Sequence, residues 1–582
     1  MRMRTKSAAV LFTALLFVIG VSMTSFANQG WTEEDGGWSY YNRDGARASN
    51  SWKKSGDAWY WLDSDGVMAA DRLIEYGENY YYVDESGVMM ANQWVQVANN
   101  DEQDGDAPSH WWYYFQNNGK AFKADSNGRT ALRSINGKKY AFDSEGRMLS
   151  GWVDDDSTRQ TGDDAWKLCD YYMGGEDDGA VSLGWMQIPV IDEESNWDKS
   201  GEESENQDYW FYFQSNGRKF KKISGGGGND EPIRTKNING HSYGFDVNGR
   251  MVSGWTEMKA VMNEARVASA STYGYNYFNS RDDGARMSKG WFKAVPDPDT
   301  NQNGYDAEES YWYYAYSEGR LCASEFKNIN GRRYAFDNSG RMMTGLQAIY
   351  IDTTAKGNPV MFSRKLDEED VLAAATELTN ASSYEMTAVN AAGEEYSGLS
   401  IAEAAAMSEI KNSGIDYGVY YFGNDDEGAA RTGAQNIDID GERYAFYFVQ
   451  SGDKKGKGVN GKKDNYMYQN GKKVKADKDN KYEAYYISLD GVNAVTGLAD
   501  PSIISGHCYY VAPDELSNYS ANHVGNDGTR HANSLFLVDA SGKLVNGDKA
   551  VKDGNEMYYK VVNGKVVQYY DKDNTGHAVD IN

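Results

Sequence analysis

Gly45, Gly66 and Gly87 stand 21 residues apart, and Trp38, Trp59 and Tyr80 each precede one of them by seven. A second track, Trp31, Trp52, Leu73 and Trp94, keeps the same interval of 21. So short a fixed period means one supersecondary unit copied along the chain, because a unit of that size cannot bury its apolar face alone. The array must therefore be stacked. An aromatic pair, a tight turn and a Gly-Trp-like step recur together, which points to a binding surface built from rings.

Residues 28–100 hold three simple units, GWSYYNRDGARASNSW (37–52), AWYWLDSDGVMAADRL (58–73) and NYYYVDESGVMMANQW (79–94). Each reads as strand, turn and short second strand, with the turn glycine supplying the positive φ that hairpins demand. An isolated hairpin is marginal in water, so the units are expected to stack into an all-β solenoid. Residues 101–363 carry longer super-repeats of three hairpins with acidic loops. Their common phrase is INGKKYAFDSEGRMLSGW (135–152), which returns as INGHSYGFDVNGRMVSGW (238–255) and INGRRYAFDNSGRMMTGL (329–346). Residues 364–413 break the pattern: the Ala- and Glu-rich segments 368–378 and 400–410 predict a short α-helical insertion. Degenerate, Lys-rich hairpins are expected over 414–582, where they would cap the array.

Composition agrees with this reading. The chain has 62 Gly but 8 Pro, and 44 Tyr against 19 Phe, which suits turn-rich, half-wet strands. Residues 1–27 read as a secretory signal, with Arg2, Arg4 and Lys6 ahead of an apolar run and a Ser25-Phe26-Ala27 cleavage site. No later stretch reaches the roughly 20 apolar residues of a membrane span. Losing the signal removes three positive charges and moves the formal net charge from −27 to −30. That field repels polyanions, so nucleic acid is not an expected partner. Cys169, Cys322 and Cys508 are an odd number at wide spacing, which argues against a disulfide framework.

The Gly-Trp step, the W-Y-Y strand, the turn glycine and the following Met resemble the choline-binding or cell-wall-binding repeats of Gram-positive surface proteins. The NGKKYAFDSEGRM phrase is similar to repeats of glucan-binding proteins and large clostridial toxins. The resemblance covers most of 30–346 and, less clearly, 415–570. It implies a cage of about three rings where successive hairpins meet. A quaternary ammonium cannot donate hydrogen bonds, so ring quadrupoles and apolar contact must hold it. Carried across, one candidate site is Trp31 and Trp38 with either Trp59 or Tyr60 from the next hairpin. Neighbouring strand residues face opposite sides, and the choice stays open. A second is Trp52, Trp59 and Tyr80, and at the third position Leu73 removes a wall. Junctions containing Trp152, Trp185, Trp255 or Trp291 keep cage material. The strands in which Ala141, Gly244 or Ala335 replaces the central ring read as spacers, or as sites shaped for a sugar ring.

Other chemistry finds little support. Asp299 to Gly304 matches the first half of an EF-hand loop, but position 12 is Ser310 and no good helix flanks it. A solvated acidic loop is the better reading, and no metal or cofactor is expected. No familiar catalytic motif occurs, and the stretches poorest in repeats, 153–208 and 347–414, fall below the roughly 100–150 residues of an ordinary domain. The expectation is a secreted, non-enzymatic, cell-surface protein attached without covalent bonds. Its partner would be choline-substituted teichoic acid or another envelope glycan. The alternative is an extracellular adhesin or toxin-like binder of host glycans.

Overall fold

A computed structural model describes residues 29–34, 36–99, 108–192, 206–223, 232–257, 275–281, 285–337, 339–352, 360–366, 386–389, 395–399, 415–424, 426–488, 495, 506, 508–519, 522–524, 530–532, 534–572 and 579–581. The signal segment, the helices expected at 368–378 and 400–410, and the acidic loops at 100–107 and 193–205 lie outside the described residues. These residues fall into two compact units, one of 1–221 with 248–250 and one of 222–247 with 251–582.

Strands follow one another as antiparallel pairs: β1 (Gly30–Glu34) with β2 (Gly37–Tyr41), and β3 (Ser51–Ser55) with β4 (Ala58–Leu62). Next come β5 (Arg72–Tyr76) with β6 (Asn79–Val83), and β7 (Gln93–Ala98) with β8 (His110–Phe115). The architecture is all-β, a succession of hairpins. Each hairpin closes one turn earlier than the sequence reading placed it. The Gly-Trp strand pairs with the aromatic strand that follows it, across two-residue turns such as Gly56-Asp57. Gly66 and Gly87 instead turn the chain between hairpins.

The segment expected as a short second strand serves as a stitch, because alternate N–H groups of an extended chain point opposite ways. Ala69 donates to the Trp61 carbonyl at 2.9 Å, closing its own turn, while Met68 donates to Trp38 of the preceding hairpin at 2.7 Å. The stitch repeats from Met89 to Trp59, Ala121 to Tyr80 and Met148 to Trp112. An aspartate organises several of these turns. Asp63 Oδ1 accepts the N–H of Asp65 at 3.0 Å and of Val67 at 2.9 Å, and Asp84, Asp143 and Asp337 repeat that pair of bonds. Gly87 has φ +81°, and a Cβ there would lie 2.8 Å from Met68 Cε. The turn glycine is therefore required twice over, by its own backbone and by the close approach of the preceding turn.

Packing also explains the strands that lack a central ring. Ala141 is fully buried among Leu149, Val153, Tyr171 and Met173, and Ala335 packs with Met343, Ile349 and Phe422. At Gly244 even a methyl would meet Val252 at 2.6 Å and Ile233 at 2.8 Å. The small residue lets that hairpin face close directly on its neighbour, which leaves no room for a sugar at the site of the missing ring. The stretch 153–208, read as poor in repeats, also carries hairpin material. Tyr171–Met173 pairs with Gly151–Val153, the short helix α1 (Ala165–Leu168) lies in the connection between those two strands, and Gly184–Ile191 pairs with Asn206–Phe213.

Toward the C-terminus the pairs merge into wider sheets, one of five strands between 433 and 473 and one of four between 549 and 580. Tyr486, Val511, Leu537, Tyr559 and Val561 share one core there. All 16 Trp lie between positions 31 and 312, so this part packs with Tyr and aliphatic side chains instead.

Candidate functional site

Three rings meet at each of the first two hairpin junctions. Register places Trp31 opposite Tyr40, with ring centroids 5.5 Å apart, and Tyr60 of the next hairpin meets Trp31 edge-on at 5.2 Å. One repeat later Trp52 lies 5.3 Å from Trp61 and 5.1 Å from Tyr81. Strand alternation thus resolves the choice between Trp59 and Tyr60: Tyr60 faces back to Trp31, while Trp59 shares the forward face with Trp61. The expected trio of Trp52, Trp59 and Tyr80 needs correction, because the same alternation turns Tyr81 toward Trp52. Tyr80 instead packs with Leu73 and Tyr82 at the following junction.

Trp38 and Trp59 form a rim. Each shares a strand face with a junction ring two residues on, is 39% and 41% exposed respectively, and has no ring partner among the described residues. Elsewhere the rim position is tied down. Trp112 donates its indole N–H to Asp177 at 3.2 Å, and Trp312 donates to Asp426 at 3.2 Å. The hydrogen bonds from Trp112 and His110 hold the Asp177 carboxyl below its ordinary range.

The later junctions keep the plan. Trp152 meets Tyr172 at 4.9 Å and Phe211 at 5.4 Å. Trp255 meets Tyr277 at 4.8 Å and Tyr313 at 5.0 Å, and its indole N–H is bound to the Val295 carbonyl. Trp291 meets Tyr314 at 5.3 Å and Tyr334 at 4.8 Å, and Trp185 meets Tyr212 at 5.3 Å and Trp210 at 6.3 Å. Trp94 also gathers Tyr114 at 5.2 Å and Tyr140 at 4.9 Å. Sequence reasoning placed Trp94 on the 21-residue track but left it out of the site. The cross-strand partners Tyr40 and Trp61, and Tyr81 of the next hairpin, were missed because naming them needs the register and the facing of each strand.

Apolar residues two places after a turn glycine complete several junctions. Met89 packs on the Trp52 cluster, Met148 on Trp94, Leu321 on Trp255 and Met342 on Trp291. A cavity of about 690 Å³ opens against Trp152 and Tyr172, with Gln160, Thr161, Asp163 and Glu176 in its wall. Another, of about 460 Å³, is lined by Trp111, Arg147, Asp143, Asp156 and Glu176. Burial raises the Asp143 carboxyl, whose Oδ1 accepts two backbone N–H groups of its own turn. The segment from Asp299 to Gly304 runs into a helical turn, Gln302–Asp306, with the Asn301 side chain accepting the Gly304 N–H.

The aromatic periodicity and geometry coincide with a known repeat. Residues 49–94 match the choline-binding repeat family. Residues 112–121 match a putative cell wall binding repeat. No curated protein is matched by the sequence. Among solved structures, CbpJ from Streptococcus pneumoniae is similar at 17% identity over 57% of this chain and 97% of that one, with a TM-score of 0.32. Choline binding protein F from Streptococcus pneumoniae has 14% identity over 78% and 100%, with a TM-score of 0.24. The modular autolysin LytC from Streptococcus pneumoniae, solved with a synthetic peptidoglycan ligand, has 16% identity over 55% and 54%, with a TM-score of 0.28. The choline-binding repeats at 49–94 take in Trp52, Trp59, Trp61 and Tyr81, the rings of the second junction.

Proposed function

We propose that this chain is an exported cell-wall-binding protein, held at the bacterial surface by choline groups on teichoic acid lodged in its aromatic junctions. The observation that carries the reading is the pair of junctions at Trp31 and Trp52. Each sets two rings within about 5.5 Å of a central tryptophan and adds an exposed one, Trp38 or Trp59, with no ring partner among the described residues. A quaternary ammonium gains roughly 0.5–2 kcal/mol from each ring face, so one site is weak and several on one chain retain it by avidity. The acidic chain adds general attraction for cations. Tryptophan fluorescence of the mature chain, titrated with choline chloride against sodium chloride, tests this. A saturable change in the choline arm alone is expected, and identical curves in both arms would refute it.

A second reading, binding of a neutral glycan, draws on the cavity beside Trp152. One aromatic wall and the side chains of Gln160, Thr161, Asp163 and Glu176 offer the stacking face and hydrogen-bonding groups that a sugar needs. Glycan-array signal unaffected by free choline is its expected mark.

A further inference from the structure

The Trp152 junction departs from its siblings at one position. Where Met89, Met148, Leu321 and Met342 complete other junctions, two residues after the turn glycine, this one has Lys219, two residues after Gly217. Its stem does what methionine does elsewhere: a Cβ on Gly249 of the next turn would lie 2.8 Å from Lys219 Cγ and Cδ, as one on Gly119 would meet Met89. The side chain then ends in a charge. Lys219 is 3% exposed, and its Nζ lies 5.1 Å from the Trp152 ring centroid and 5.5 Å from that of Phe211. The ammonium donates a hydrogen bond to the Trp166 carbonyl. Trp152 and Phe211 are the two rings that correspond to Trp31 with Tyr60 and to Trp52 with Tyr81. Trp31, Trp52, Trp94, Trp255 and Trp291 have no cation over the ring among the described residues.

We infer that Lys219 is a built-in cation which takes the place of a quaternary ammonium at the Trp152 junction and bars choline from it. This rests on the choline reading above and adds which junction does not work. The Lys219 ammonium is tethered to the cage, so a free ligand at millimolar concentration competes against a very high effective concentration. A second monovalent cation between the same rings would sit about 6 Å from Nζ, and at an effective dielectric near 20 this repulsion weakens binding on the order of 100-fold. Arg250 and Lys167 also flank Trp166, at 5.3 Å and 5.4 Å from its ring, and both reach the buried Asp192, which Arg250 meets at 2.7 Å. The cavity against Trp152 and Tyr172 means that access is not what closes the site.

Counting sites on the mature chain by equilibrium dialysis with radiolabelled choline decides the matter. Lys219→Met and Lys219→Leu install residues this chain already uses in the same slot, and each should bind one more choline per molecule than the unaltered protein. Trp152→Phe should leave the count unchanged in the unaltered protein and should remove the extra site in the Lys219→Met background. Equal, non-zero counts with and without Lys219, or a site lost on Trp152→Phe alone, would overturn the inference and leave the choline reading standing. No choline bound by any of these proteins would overturn both.

Discussion

Replacing Trp59 and Trp61 in turn by alanine separates binding rings from packing rings. The two residues lie on one face of one strand, two positions apart, so backbone effects are shared. Trp61 is 5% exposed and packs on Trp52 at 5.3 Å and Tyr76 at 5.1 Å. Its truncation opens a cavity in the hairpin stack and should cost about 3–5 kcal/mol of stability. Trp59 is 41% exposed and touches no ring among the described residues, so the same change should stay within about 0.5 kcal/mol. Binding should respond differently. Losing one wall of a cation cage forfeits about 0.5–2 kcal/mol, a roughly 2- to 30-fold weakening at the second junction. Guanidinium denaturation read by circular dichroism reports the first quantity, and calorimetric titration with choline the second. The reasoning fails if Trp59→Ala leaves the choline isotherm untouched, or if it lowers the denaturation midpoint as far as Trp61→Ala does.

Gly244→Ala tests the close approach between hairpins. Although alanine is native at the matching positions 141 and 335, its methyl here would meet Val252, Ile233 and Phe278 within 2.9 Å, so thermal denaturation should show a loss of about 1–3 kcal/mol. Asp63→Ala removes the carboxylate that accepts the Asp65 and Val67 N–H groups and should cost about 1–3 kcal/mol by the same measurement, whereas the neighbouring exposed Ser64→Ala should be nearly silent. Cys169, Cys322 and Cys508 are all free and buried, and burial is the largest cause that pushes the Cys169 and Cys508 thiols up to about 12. A thiol reagent at pH 8 should therefore label none of them in the folded chain and all three in denaturant. Because their folded values lie above those of the unfolded chain, this contribution to stability is complete below about pH 8.5 and declines as pH rises toward 12. A denaturation midpoint that rose between pH 9 and 11 would contradict it.

Periodicity alone specified a good deal. The interval of 21 between Trp31 and Trp52, and between Gly45 and Gly66, fixed the repeat unit, its β character and the need to stack. It also fixed the aromatic character of the junctions and the replacement of a ring by Leu73 on the same track. These properties are local or depend on spacing along the chain, so any reading of the chain recovers them. What lay beyond it was contact across space. Whether Trp59 or Tyr60 meets Trp31, and whether Tyr80 or Tyr81 meets Trp52, depends on which face each hairpin turns toward its neighbour, and one residue of register reverses the answer. The hairpin turn itself was assigned to Gly45 and Gly66 because Asp-Gly is the stronger local signal. The strands closed instead at the pairs Glu34 with Gly37 and Ser55 with Ala58, because a complete ladder forms there while the later turn is spent stitching hairpins together.

Lys219 shows the division most sharply. In the sequence it is one basic residue among 59, in a Lys-rich stretch that looks solvated. Only the tertiary structure, by burying it in a slot that methionine fills elsewhere, sets its ammonium against Trp152 and Phe211. The sequence determined that rings would repeat. Packing between units decided which rings meet, which stand free at the rim, and which already face a cation, because burial and interatomic distance belong to the stacked chain rather than to any one repeat.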